Sequence, residues 1–230
     1  MSQQTKAAPS SVRDVPVWDL PTRLFHWLLV GSILLILITG WAGWLGIHMQ
    51  LGRAVLALLL FRFAWGFMGS STARFSHFVK GPRAALDHLR RERAGGSWDG
   101  IGHNPLGAYS VMAMLILALV QAVIGLFSRE HTHTLGPLAP LLAAPWSHAA
   151  SEIHSSLYIL LLVVIGLHVA AIVYYKKIKG EDLVRPMITG RKPAPGGAVG
   201  DMKTAPLWLA ALLAVLSAVV VWGGLALVHG

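Results

Sequence analysis

Four histidines, His26, His48, His154 and His168, stand at or inside long apolar stretches of the chain, and their positions sort them into two pairs at two depths. Fourteen residues separate His154 from His168, which on an α-helix is about 21 Å of rise and a return to within about 40° of the same face. One helix can therefore offer one imidazole at each of two levels. An ionisable side chain in hydrocarbon is costly unless its polar atoms find partners, so each of the four is a functional candidate. A hydrogen bond to a neighbouring helix would account for one such histidine, but four at matched depths ask for more. Two neutral imidazoles can ligate a haem iron from both faces, leave no open position for small ligands, and so suit electron transfer. Zinc is the weaker reading, because it wants further ligands at each level and the nearest carboxylate is Glu152, close to one surface.

The elements that must position these side chains follow from hydropathy. The chain is 55% hydrophobic and 13% charged, with a mean hydropathy of +0.61, the composition of an integral membrane protein. Five stretches approach or reach the ~20 residues that cross a bilayer as a helix: 21–46, 50–69, 106–128, 154–175 and 205–228. The first is not a cleaved signal peptide, since its apolar run is too long and polar and mixed residues precede it. The expected division is a cytoplasmic tail over 1–15, a four-helix domain over 16–192, a Pro/Gly-rich linker over 193–204 and a fifth transmembrane helix over 205–230. The fold class expected is all-α integral membrane, a four-helix haem-binding bundle with one additional C-terminal helix.

Orientation follows from the basic residues. The segment 70–105 carries Arg74, Lys80, Arg83, Arg90, Arg91 and Arg93, and 176–203 carries Lys176, Lys177, Lys179, Arg185, Arg191, Lys192 and Lys203. By contrast, 47–53 has only Arg53, and 129–153 sets Arg129 against Glu130 and Glu152. By the positive-inside rule the N-terminus and both basic segments are cytoplasmic and the C-terminus is periplasmic. The net charge of +9 is then mainly a topology signal, and a nucleic-acid partner is not indicated. With depth assigned this way, His48 and His154 form an outer pair and His26 and His168 an inner pair. There is no cysteine, which rules out thiolate ligation, iron–sulfur clusters and covalent haem attachment through this chain.

Arg62 lies fourteen residues after His48 within an apolar run, close to the inner level. Its guanidinium would fork onto a carboxylate, and a propionate of the inner haem is the expected partner; Arg53 is the corresponding candidate for the outer one. Gly52, Gly107 and Gly166 lie where a porphyrin would need close backbone approach, although small residues also serve plain helix packing. The remaining histidines, His77, His88, His103, His131, His133, His148 and His229, are read as solvated groups in loops or at termini. Trp18, Trp27, Trp41, Trp44, Trp146 and Trp222 are read as an interfacial aromatic belt.

Several ordered motifs carry a family resemblance. Val17-Trp-Asp-Leu-Pro-Thr-Arg-Leu-Phe-His-Trp27, His48-Met-Gln-Leu-Gly52, Arg62-Phe-Ala-Trp-Gly-Phe-Met-Gly69, Ala73-Arg-Phe75, Gly102-His-Asn-Pro105, His154 with His168, and Met187-Ile-Thr-Gly-Arg-Lys192 resemble the bacterial di-haem cytochrome b561 family, which includes the cytochrome b subunits of nickel–iron hydrogenases. The resemblance covers about residues 16–192 and departs at the fifth span, which many of these proteins lack. It implies two non-covalent b haems on the four histidines, quinone or quinol as membrane partner (ubiquinone or menaquinone), and a periplasmic redox protein such as a c-type cytochrome, dehydrogenase or hydrogenase. The expected setting is the bacterial inner membrane, with lipid contacts and a homo- or hetero-oligomer open. Two other classes stay compatible with these residues. One is a stand-alone superoxide:quinone oxidoreductase, which the scarcity of basic residues in the outer loops disfavours; the other is a non-redox scaffold or transporter.

Overall fold

A computed structural model describes residues 12–96, 102–129, 135–195 and 202–229. A short strand β1 (Val12–Pro16) leads into α1 (Leu20–Trp41), followed by α2 (Leu45–Met68), a single 3-10 turn, a one-turn helix α3 (Phe75–Phe78) and α4 (Pro82–Arg93). Then come α5 (Pro105–Phe127), α6 (Ala144–Lys177), the short α7 (Val184–Thr189), strand β2 (Arg191–Pro195) and α8 (Leu207–His229). Helices α1, α2, α5, α6 and α8 are each long and apolar enough to cross a membrane.

Local chemistry sets where these helices begin. The Asp19 carboxylate accepts the Thr22 amide at 2.8 Å, Asn104 accepts the Gly107 amide at 2.6 Å, and a proline stands in the first turn after each. Both residues satisfy amides that a helix N-terminus leaves orphaned, and the proline has no amide to lose there. Between α1 and α2 the chain reverses within three residues, with Gly43 at φ +71°, a left-handed conformation that favours glycine.

Two helix starts differ from the hydropathy reading. α2 begins at Leu45, so His48 lies inside its first turn rather than ahead of the helix. α6 begins at Ala144, ten residues before His154, and runs for 34 residues, or about 51 Å at the usual rise, well beyond a hydrocarbon core of about 30 Å. Its first turns hold Ser147, His148, Ser151 and Glu152, whose polarity ends an apolar run but not a helix.

α2 is the central helix, with 44% of its apolar window buried against 22% or less for the other spans. α1, α5 and α8 all pack on it, and α5 also packs on α6. Leu59 and Trp65 of α2 are fully enclosed, in a core shared with Phe25 of α1, Leu115 of α5, Leu161 of α6 and Ala210 of α8. The fifth span is thus continuous with the bundle core. Its entry is secured where the Ser71 amide donates to the Lys203 carbonyl at 2.9 Å and the Ala205 amide to the Ser70 hydroxyl at 3.0 Å.

Residues 12–15, read from sequence as the end of a tail, pair in β1 with β2, whose last three residues open the expected linker. The two strands run antiparallel, with Val12 opposite Pro195 and Pro16 opposite Arg191. Neither strand shows apolar alternation, so no sequence signal announced the pairing. The rest of the tail and residues 196–201 lie outside the described residues.

Candidate functional site

The His48 and His154 rings face each other with centroids 6.2 Å apart and planes at 83°. Two metal–imidazole bonds of about 2 Å plus two ring radii of about 1.1 Å sum to about the same length, so the gap fits one metal atom held between two imidazoles. Each ring is anchored on its other side: His48 Nδ1 lies 3.0 Å from the Ile36 carbonyl oxygen of α1, and His154 Nδ1 lies 3.0 Å from the Gln121 carbonyl oxygen of α5. A carbonyl oxygen can only accept, so both Nδ1 atoms carry the proton and donate it. Each neutral ring then keeps a lone pair on Nε2, the state a metal ligand requires. The Gln121 side chain closes the loop, donating from Nε2 to the His154 carbonyl at 2.9 Å.

At the other level, His26 comes from α1 and His168 from α6, close enough to interact electrostatically. His26 Nδ1 is buried with no hydrogen-bond partner, and its ring meets Trp27 edge-on at 4.9 Å. Arg62 of α2 shares an electrostatic neighbour with this pair, since Arg62, His168 and His26 all act on His103. Arg62 is only 3% exposed, its guanidinium carbon lies 5.0 Å over the Phe75 ring, and Nη1 has no partner. The carboxylate within its electrostatic reach is Asp19. A buried guanidinium with an idle N–H is costly unless an anion completes it, which is what a carboxylate-bearing cofactor would do. Arg53 at the first level is half-buried, with Nε unpartnered and Nη1 at 3.5 Å from Gln50 Oε1.

His103 corrects the sequence reading. It is not a solvated loop group: its ring lies between Trp18 at 4.6 Å and Phe78 at 4.9 Å, and Nδ1 is buried without a partner. Burial pushes its pKa down to about 3, with the charges of Arg62, His168 and His26 adding to the effect. Trp18 is likewise buried against this ring instead of joining a belt, whereas Trp41, Trp44 and Trp146 are well exposed. His88 sits on α4 at 4% exposure beside Glu92, not in a solvated loop. His131 and His133 lie outside the described residues. Among the described residues no three His, Asp or Glu side chains form a group that could hold a metal ion; the two imidazoles in ring contact are His48 and His154.

A Cβ on Gly52 or Gly166 would meet nothing within 4 Å, and one on Gly107 would meet only the Asn104 cap. The glycines against the imidazoles are Gly40 and Gly125, where a Cβ would fall 3.1 Å from His48 Nδ1 and 2.8 Å from His154 Cε1. Each stands four residues after the carbonyl that its histidine bonds, a relation visible only once the partner helix is known.

A family model described as prokaryotic cytochrome b561 matches residues 17–190. Among curated proteins and among solved structures, nothing matches.

Proposed function

This chain belongs to the prokaryotic cytochrome b561 family, membrane proteins that bind b-type haem and transfer electrons, and we propose that it holds two haems and links the quinone pool to a periplasmic redox partner. His48 with His154 would hold one and His26 with His168 the other. Arg62 would pair with a propionate at the second level and Arg53 with one at the first. A haem with two imidazole ligands supplies one-electron exchange at an iron with no free position.

The protein's own groups do the rest. The Ile36 and Gln121 carbonyls hold the imidazole protons at Nδ1, and with them the ring orientation. Trp18 and Phe78 pack on His103 and Phe75 lies under the Arg62 guanidinium, an apolar setting that would limit water at the second level, where Arg62 would place a fixed positive charge. The two levels lie about 21 Å apart along α6, so the pair spans much of the bilayer. Quinone or quinol is the carrier proposed in the membrane, and a c-type cytochrome, dehydrogenase or hydrogenase the partner outside it. This requires the basic end of the bundle to face the cytoplasm, with the N-terminus inside and the C-terminus outside.

The observation that carries the reading is the facing pair of His48 and His154, 6.2 Å apart and both anchored through Nδ1. The test is a redox titration of the purified protein and of His48→Ala and His168→Ala, followed by reduced-minus-oxidised spectra. Loss of a different redox component in each variant supports two separate sites; full retention of both components in both variants ends the di-haem reading.

A further inference from the structure

We propose that Gly40 and Gly125 are positioning residues that hold the His48 and His154 imidazoles at a near-right angle, by baring the main-chain carbonyls that anchor the two rings. The inference rests on the haem reading above.

In a helix each carbonyl accepts from the amide four residues on, and the side chain at that later position lies over the same patch of surface. The Ile36 carbonyl is overlain by residue 40, and the Gln121 carbonyl by residue 125. Glycine at both positions leaves each oxygen reachable from the neighbouring helix, and a carbonyl has a second lone pair to offer an imidazole N–H without costing the helix its own bond. At Ile36 the Thr39 hydroxyl also lies 3.1 Å from that oxygen, but its single proton has the shorter contact, 2.8 Å, to the Leu35 carbonyl. The space is tight. A Cβ at residue 125 would stand 2.8 Å from His154 Cε1 and 3.2 Å from Nδ1, and one at residue 40 would stand 3.1 and 3.3 Å from His48 Nδ1 and Cε1.

The same device occurs on two helices far apart in sequence. α1 serves the ring carried by α2, α5 serves the ring carried by α6, and each of these pairs packs together. Each helical hairpin thus sets the plane of its own histidine, and the two planes meet at 83°. Other glycines are as closely enclosed, Gly66 by the Phe75 ring, Gly69 by Trp65 and Gly136 by main-chain carbonyls. Among the described residues, however, only Gly40 and Gly125 face an imidazole, and a Cβ on Gly31, Gly46 or Gly224 would meet nothing within 4 Å. The relative orientation of two axial imidazoles governs how the iron d orbitals split. Near-perpendicular planes give a strongly anisotropic low-spin ferric signal, and near-parallel planes a rhombic one. The Nδ1–H···O=C bond also tunes the basicity of the ligand, and with it the potential.

The test is electron paramagnetic resonance and redox titration of the oxidised, haem-loaded full-length protein, comparing wild type, G125A, G40A and the control G224A on α8. Wild type is expected to show a strongly anisotropic signal from the His48–His154 site. G125A should lose it or move it toward the rhombic form and shift the potential of that site alone, G40A should do so to a smaller degree, and G224A should match wild type. The wild-type spectrum tests the perpendicular pair even if G125A fails to accumulate. Two rhombic signals in wild type, or unchanged signals and potentials in both G125A and G40A, overturn the inference while leaving the haem sites standing. A wild-type protein with no reduced b-type bands overturns the haem reading, and the inference with it.

Discussion

The Asp19 carboxylate accepts the indole N–H of Trp65 at 3.0 Å while capping α1 through the Thr22 amide at 2.8 Å. One side chain therefore fixes where α1 begins and ties that start to a fully enclosed residue of α2. Replacing Asp19 with Ala removes a cap and leaves a buried indole donor unmet, and should cost about 1–3 kcal/mol. The two bonds use different carboxylate oxygens, and Asn has only one acceptor, so Asn at this position should keep the cap but turn its NH2 toward the indole and recover only part of the loss. Thermal unfolding in detergent compares the two; equal midpoints for Asp19→Ala and wild type would contradict the role.

Arg62 and Asp19 carry opposite charges within electrostatic reach of each other, and if they flank the haem proposed on His26 and His168 their replacements should act in opposite directions. Loss of a buried positive charge disfavours adding an electron, so Arg62→Leu should lower the midpoint potential of that site. The change is on the order of 50–100 mV at an effective dielectric near 20. Asp19→Asn should raise it by a similar or smaller amount. Potentiometry resolves both, and a Leu variant with an unaltered potential and haem content would remove Arg62 from the site.

His103 makes stability depend on pH. Its folded-state pKa, pushed down to about 3 chiefly by burial, lies below the ordinary histidine value of about 6.5. As pH falls below 6.5 the unfolded chain takes up a proton that the folded protein does not. Stability contributed by the neutral ring is therefore full above about 6.5 and declines toward pH 3, at up to about 1.4 kcal/mol per unit. His103→Gln should flatten that part of the profile. The check is the difference in unfolding midpoint between pH 7.5 and pH 5; an equal difference in variant and wild type would place the titration elsewhere.

Much of this protein can be read along the chain. Apolar length marks the five spans, because a helix in hydrocarbon must satisfy its own backbone and needs about 20 residues to cross. Asp19-Leu-Pro21 and Asn104-Pro105 announce two helix starts, because capping is chemistry among near neighbours. The separation of His154 and His168 states two levels, because rise along one helix is a local constant. Arg62 stands out in the same way, as a charge within an apolar run.

Other features came from tertiary structure alone. The motif Gly102-His-Asn-Pro105 marks His103 but not its burial, and both it and His77 read as loop histidines, yet one ring is packed between Trp18 and Phe78 while the other is exposed. Gly40 and Gly125 are two among 24 glycines, and what separates them is an imidazole arriving from the adjoining helix. The pairing of β1 with β2 joins residues more than 170 positions apart. Sequence determines what depends on rise, hydropathy and near neighbours, because these act along one segment. Which ring meets which carbonyl depends on how separate helices approach and rotate against each other, and that is decided only when their side chains share one packed interior.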